Sequence, residues 1–151
     1  GDPRLPALGG FQMAASGKKK RIKEARELLS LAKEQLDDAQ MDWWEPAQPA
    51  SCVTNTFYSY ENAISAAIVA VGRARTRKHH EKALLAKKLF DDQRLKTDVS
   101  DTLRELNEVR KDVQYGEAGG LLAGYDLESM VNDLESFVQE VEALIDEIEG
   151  L

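Results

Sequence analysis

Two charged residues stand where the spacing of their neighbours calls for apolar side chains. In residues 99–113, Val99, Leu103, Leu106, Arg110 and Val113 alternate steps of four and three, the spacing that keeps side chains on one helix face. In residues 55–72, Phe57, Glu61, Ile64, Ile68 and Val71 repeat that spacing, and Glu61 is the only charged residue of the segment. A guanidinium stays protonated and offers a planar fork of donors suited to carboxylate or phosphate, so placed inward it must meet an anion or a ring of acceptors. One answer is a buried Glu61–Arg110 ion pair that fixes which helices pair and in what register. The other is a polar pocket inside a helical bundle, where a phosphate shares Arg110.

The elements that must hold these residues are helices. Only four prolines occur, two of them in the first six residues, and Leu, Ala, Glu, Lys and Asp dominate the remainder. The spacing predicts a first helix over 18–40, with Ile22, Ala25, Leu29, Ala32, Leu36 and Ala39 on its inner face. Residues 41–54, with two prolines and both tryptophans, read as a loop, and Thr54 or Asn55 as the cap of a second helix ending near Gly72. That helix has no polar face and should be the most enclosed, its alanines permitting close approach by a neighbour. A third helix is expected over 80–92 with Ala83, Leu84, Leu89 and Phe90 inward, and a fourth over 98–115 carrying Arg110. Gly116, Gly119, Gly120 and Gly124 connect it to a fifth, where Leu127, Val131, Leu134, Val138, Val141, Ile145 and Ile148 form an unbroken stripe widened by Met130, Phe137 and Leu144. The fold class is all-α, one bundle over 13–151, with residues 1–12 read as a probable vector remnant or disordered tail.

Charge is distributed unevenly beneath the net −7. Residues 73–88 carry seven Lys/Arg against one Glu, whereas 126–149 carry nine Asp/Glu and no cation. A wholly basic nucleic-acid binder is thereby disfavoured, while a local basic patch remains open to phosphates and the acidic helix to a basic partner; two solvated faces are the plainer reading. Trp43 and Trp44 read as aromatic closure of one bundle end, with a nucleobase-stacking platform as the alternative. No apolar run reaches the roughly 18 residues of a membrane span, and the single Cys52 precludes an internal disulfide, so a cytoplasmic protein is expected.

Several common chemistries lack their residues. There is no Gly-rich phosphate loop after a strand, no Cys-x-x-Cys and no HExxH. His79, His80 and Glu81 are adjacent and do not share a helix face, so no metal site and no cofactor are expected. Cys52 has no histidine near it in sequence to make it a nucleophile.

The succession TFYSYENAISAAIVAVG, RKHHEKALLAKKLF and LRELNEVRKDVQYGE resembles the HEPN superfamily of small α-helical bundles over about residues 18–148. The resemblance implies a four- or five-helix up-and-down bundle and frequent homodimers. It also implies either ribonuclease activity or noncatalytic RNA or nucleotide binding, sometimes beside a nucleotidyltransferase-like partner in a toxin–antitoxin module. Active members resemble one another in an Arg followed after four to six residues by His. Arg110 and Lys111 match the first part, but Tyr115, Gly116 and Glu117 stand at the later positions. A tyrosine hydroxyl with its ordinary pKa near 10 holds a phosphate by hydrogen bonding better than it shuttles protons.

The reading is therefore a noncatalytic or weakly catalytic HEPN-like domain binding RNA, a nucleotide or a partner protein. Arg110 meets the phosphate, Glu61 and Asn107 orient it, Tyr115 closes one side, and Lys111 with the Arg73–Lys78 turn attracts the ligand. The alternatives are an active metal-independent ribonuclease toxin and a helical interaction module docking through its acidic last helix.

Overall fold

In the computed structural model, the described residues are 4–44, 48–114, 122 and 125–151, with the side chains of 4–16 and of Gln114 excepted. Among them are five helices and no strand: α1 (Arg4–Trp44), α2 (Pro49–Ala70), α3 (His79–Asp91), α4 (Ser100–Gln114) and α5 (Leu127–Gly150). This is the expected all-α up-and-down bundle. Helix α2 is its axis, packing against every other helix, and α1 is its most extensive partner.

The α1–α2 interface follows from small residues. Ala25, Ala32 and Ala39 recur every seven residues on α1 and are fully buried, opposite Ala63, Ala66, Ala67 and Ala70 of α2. Backbones approach closely enough for Ser59 Oγ to donate to the Ala32 carbonyl at 2.6 Å and for Cys52 Sγ to reach the Ala39 carbonyl at 3.4 Å. Asn62 donates to Gln35 and Asn55 to Asp42, so the two helices run antiparallel. Helix α5 also runs against α1, through Arg26–Asp146 (2.6 Å), Lys33–Glu142 and Gln40–Glu135. Its expected stripe is buried throughout except for Leu127, which is partly covered.

Three boundaries differ from expectation. Helix α1 extends beyond 18–40 at both ends, and the foreseen loop over 41–54 is mostly helical. Pro49 does not break α2 because it lies at the helix start, where its missing N–H has no intrahelical partner to lose. The cap is consequently Gln48 instead of Thr54 or Asn55. In α3 the inward set is Ala83, Ala86 and Leu89, whereas Leu84 and Phe90 are exposed; among the described residues the helix rests mainly on α2 and α4, so its buried face is narrow.

Helix ends are defined by hydrogen bonding. Past α2, Gly72 takes φ +86° while its N–H bonds to Val69 and that of Arg73 to Ile68, closing the helix with crossed bonds that need a left-handed residue. Gln93 does the same after α3 at φ 61°. Before α4, Asp98 accepts from the Ser100 N–H at 3.0 Å, and its bonds to Ser100 hold its carboxyl below the usual range. Glu140 of α5 braces this loop by accepting from the Lys96 and Thr97 amides and the Thr97 hydroxyl.

Cys52 is fully buried, and burial pushes its thiol up to about 11. An unfolded cysteine titrates near 8.5. The folded state therefore keeps the proton longer, so this contribution to stability is intact below about pH 8.5 and is lost as pH climbs toward about 11. Urea midpoints across that interval should fall more steeply for the native chain than for Cys52→Ala; parallel slopes would show that the thiol contributes nothing to the decline.

Candidate phosphate-binding site

Phe57 and Tyr58, in the third turn of α2, meet the end of α4. Arg110 leaves α4 at the margin of its buried face, next to Val109, which supplies the inward position that the four-three spacing assigns to Arg110 alone. Its guanidinium carbon lies 5.1 Å from the centroid of the Phe57 ring and 5.7 Å from that of Tyr58. Nη2 donates to Asn107 Oδ1 at 2.9 Å, one turn back on α4, and Nη1 lies 3.5 Å from the Tyr58 hydroxyl. Two rings hold the cation by its face while an amide fixes its rotation, so it is positioned in a half-buried notch between α2 and α4.

Glu61 goes elsewhere. The expected Glu61–Arg110 pair is replaced by a cluster with α3, in which Glu61 meets His79 Nδ1 at 2.5 Å and Lys82 Nζ at 3.5 Å. The Glu61 side chain is 5% exposed and that of Lys82 13%, so the carboxylate fastens the start of α3 to the bundle core. One turn of α2 separates Phe57 from Glu61, and the Phe57 ring packs edgewise on the His79 ring with centroids 5.3 Å apart. Arg110 and His79 thus rest on the same aromatic ring from two helices.

Between α3 and α4 opens a cavity of about 290 Å³ whose walls include His79, His80, Arg104, Asn107, Glu108 and Lys111. Asn107 belongs both to this wall and to the Arg110 contact, so the notch and the cavity are continuous in residues. Lys111 stands beside Glu108 at 3.3 Å, and Arg104 beside Asp101 at 3.2 Å, both one turn apart on exposed positions. Pairs of this kind contribute little to stability, so the cations remain available to a stronger anion.

Of the residues singled out in the sequence, the structure brings Arg110, Asn107 and Lys111 together and places Glu61 behind His79. Tyr115 lies outside the described residues. In the Arg73–Lys78 turn, Arg73 pairs with Asp92, Arg75 with Glu24, and Lys78 with Glu81, at exposed positions like those of Lys111 and Arg104. Sequence reading misses His79 and Arg104; the only signal for His79 is the polar run before α3, since its partner lies 18 residues away on another helix.

Trp43 packs partly against the core, while Trp44 is 77% exposed, with the two rings meeting edge to face. A larger hollow of about 680 Å³ lies between Lys18, Lys19 and Lys23 of α1 and the end of α5, where Arg26 already pairs with Asp146 and Glu149. Among the described residues no helix is long and apolar enough to cross a membrane.

The five described helices place the chain among small all-α bundle domains. The family model for the HEPN domain matches residues 19–149, and the chain belongs to that family. Domains of this family serve generally in nucleotide- and RNA-related roles, and they often dimerise. Comparison with curated proteins and with solved structures gave no match.

Proposed function

We propose that this chain binds the phosphate groups of single-stranded RNA or of a nucleotide along the notch and cavity shared by α2, α3 and α4. The observation that carries this reading is Arg110, held on Phe57 and Tyr58 and turned by Asn107 beside the cavity that Lys111 lines. A guanidinium fixed before the ligand arrives loses little side-chain freedom on binding, which favours a bidentate phosphate contact. Lys111 and Arg104 add attraction, Tyr115 closes one side on the family resemblance alone, and Glu61 acts through His79 without touching the ligand. The reading includes a homodimer in the cytoplasm, with a nucleotidyltransferase-like protein as its candidate partner. The acidic last helix is the weaker docking surface, because α1 already answers its Glu142, Asp146 and Glu149.

Titration of labelled single-stranded RNA at increasing salt tests the proposal. Three cations neutralising three phosphates give a log–log slope of roughly −2 on a single strand. A slope near zero, or no binding at low salt, overturns it. The same incubation reads the ribonuclease alternative, which the placement of His79 favours: RNA recovered at full length speaks for binding without cleavage, whereas fragments that vanish with His79→Ala would establish cleavage.

A further inference from the structure

The α3–α4 cavity has a chemistry of its own. Its wall carries His79, His80, Arg104 and Lys111 against the single carboxylate of Glu108. His79 differs from the other three because its ring is fixed from behind. A carboxylate only accepts hydrogen bonds, so at 2.5 Å from Glu61 the Nδ1 atom carries the proton. That leaves Nε2, across the ring, as the nitrogen available to the cavity. Glu61 is itself 5% exposed and held by Lys82, so the orientation is imposed by the bundle and not by solvent.

We propose that this cavity is a site for a phosphomonoester, the terminal phosphate of a nucleotide or oligonucleotide. A monoester carries a charge of about −1.5 to −2 near neutral pH and three terminal oxygens, where an internal diester carries about −1 and two. Four basic side chains lining about 290 Å³ match the former, because each added charge and oxygen finds a further donor. On binding, His79 takes a proton from solvent at Nε2, so that the imidazolium donates from Nε2 to one phosphate oxygen while its Nδ1–H stays on Glu61, and Arg104 and Lys111 exchange their exposed carboxylate partners for the others. Arg110 lies in the adjoining notch, where the next phosphate of the strand would pass. Glu61 is a positioning residue and His79 a direct ligand.

This assignment rests on the phosphate-binding reading above, and the test separates the two. The full chain is titrated with one single-stranded RNA sequence bearing a 5′-phosphate, a 3′-phosphate or only hydroxyl ends, and with phenyl phosphate. At least one phosphorylated form is expected to bind ten-fold or more tightly than the hydroxyl-ended form. His79→Asn, at a 40% exposed side chain, should erase that difference while the thermal unfolding midpoint stays close to that of the parent. Glu61→Gln should reduce it, and in the parent the His79 Nε2 resonance should shift on adding phenyl phosphate while Nδ1 keeps its bonded signature. Equal binding of all three oligonucleotides, or a preference that survives His79→Asn, overturns the monoester site and leaves the broader reading standing. Phenyl phosphate shifting His79 with no oligonucleotide bound supports the monoester site and removes the nucleic-acid reading. No shift with phenyl phosphate overturns the site.

Discussion

Replacing Glu61 with alanine is expected to lower the free energy of unfolding by about 3 kcal/mol, the lower end of the cost of removing one partner from a buried charge cluster. The loss has two parts. Lys82, at 13% side-chain exposure, is left with its ammonium facing a site built for a carboxylate, and the His79 Nδ1–H loses its acceptor. The lower end applies because His79 is 40% exposed and can turn toward water. Glu61→Gln keeps an acceptor for His79 but not the charge for Lys82, and roughly half the loss is expected. The double change Glu61→Leu with Lys82→Met removes both charges and should restore stability to within about 1.5 kcal/mol of the parent. Urea unfolding with unchanged slope measures all three; a Glu61→Ala chain as stable as its parent would mean that the cluster does not fasten α3.

Arg110→Ala is expected to have the largest effect on ligand binding. Charge-assisted bonds to phosphate contribute about 1.5 to 3 kcal/mol, which corresponds to an affinity loss of roughly 10- to 150-fold. Stability should change far less, by about 1 kcal/mol, since the packing lost is a half-exposed cation over two rings. Arg110→Lys retains the charge without the planar fork or its flat contact on Phe57, and should recover less than half of the lost binding energy. The opposite pattern, a chain that unfolds readily while binding RNA as before, would make Arg110 a structural residue.

Much of the fold is legible in the sequence because the helices differ in how their faces are used. The stripe of α5 is unbroken over its length, so its inward residues can be read from spacing alone. The lack of a polar face on α2 already marks a helix surrounded by others, as it is. Helix α3 is less legible: thirteen residues covered from one side bury only Ala83, Ala86 and Leu89, and Leu84 and Phe90 are turned out although their types suggest burial. Pro49 misleads because proline stops a helix from inside but not at its first turn.

The site divides along the same line. Periodicity locates Glu61 and Arg110 as inward charges, and Glu61 is buried while Arg110 is only half-buried, yet spacing within a helix carries no information about which residue across the bundle answers. Two inward charges of opposite sign invite pairing with each other. The structure shows that α3 intervenes, with His79 and Lys82 taking the carboxylate, while Arg110 turns to aromatic faces and an amide. Only the packing of a short, peripheral helix decides between those arrangements, and that packing depends on Glu61 itself.

The location of bound RNA is the central claim, and amide and guanidinium NMR spectra recorded through a titration with single-stranded RNA test it most directly. The account predicts that the largest shifts fall on Phe57, Tyr58, His79, Asn107, Arg110 and Lys111, with the Arg110 Nε–H among the first to move. Shifts gathered instead along Lys18, Lys19, Lys20 and Lys23 of α1, with Arg110 and His79 unmoved, would contradict it.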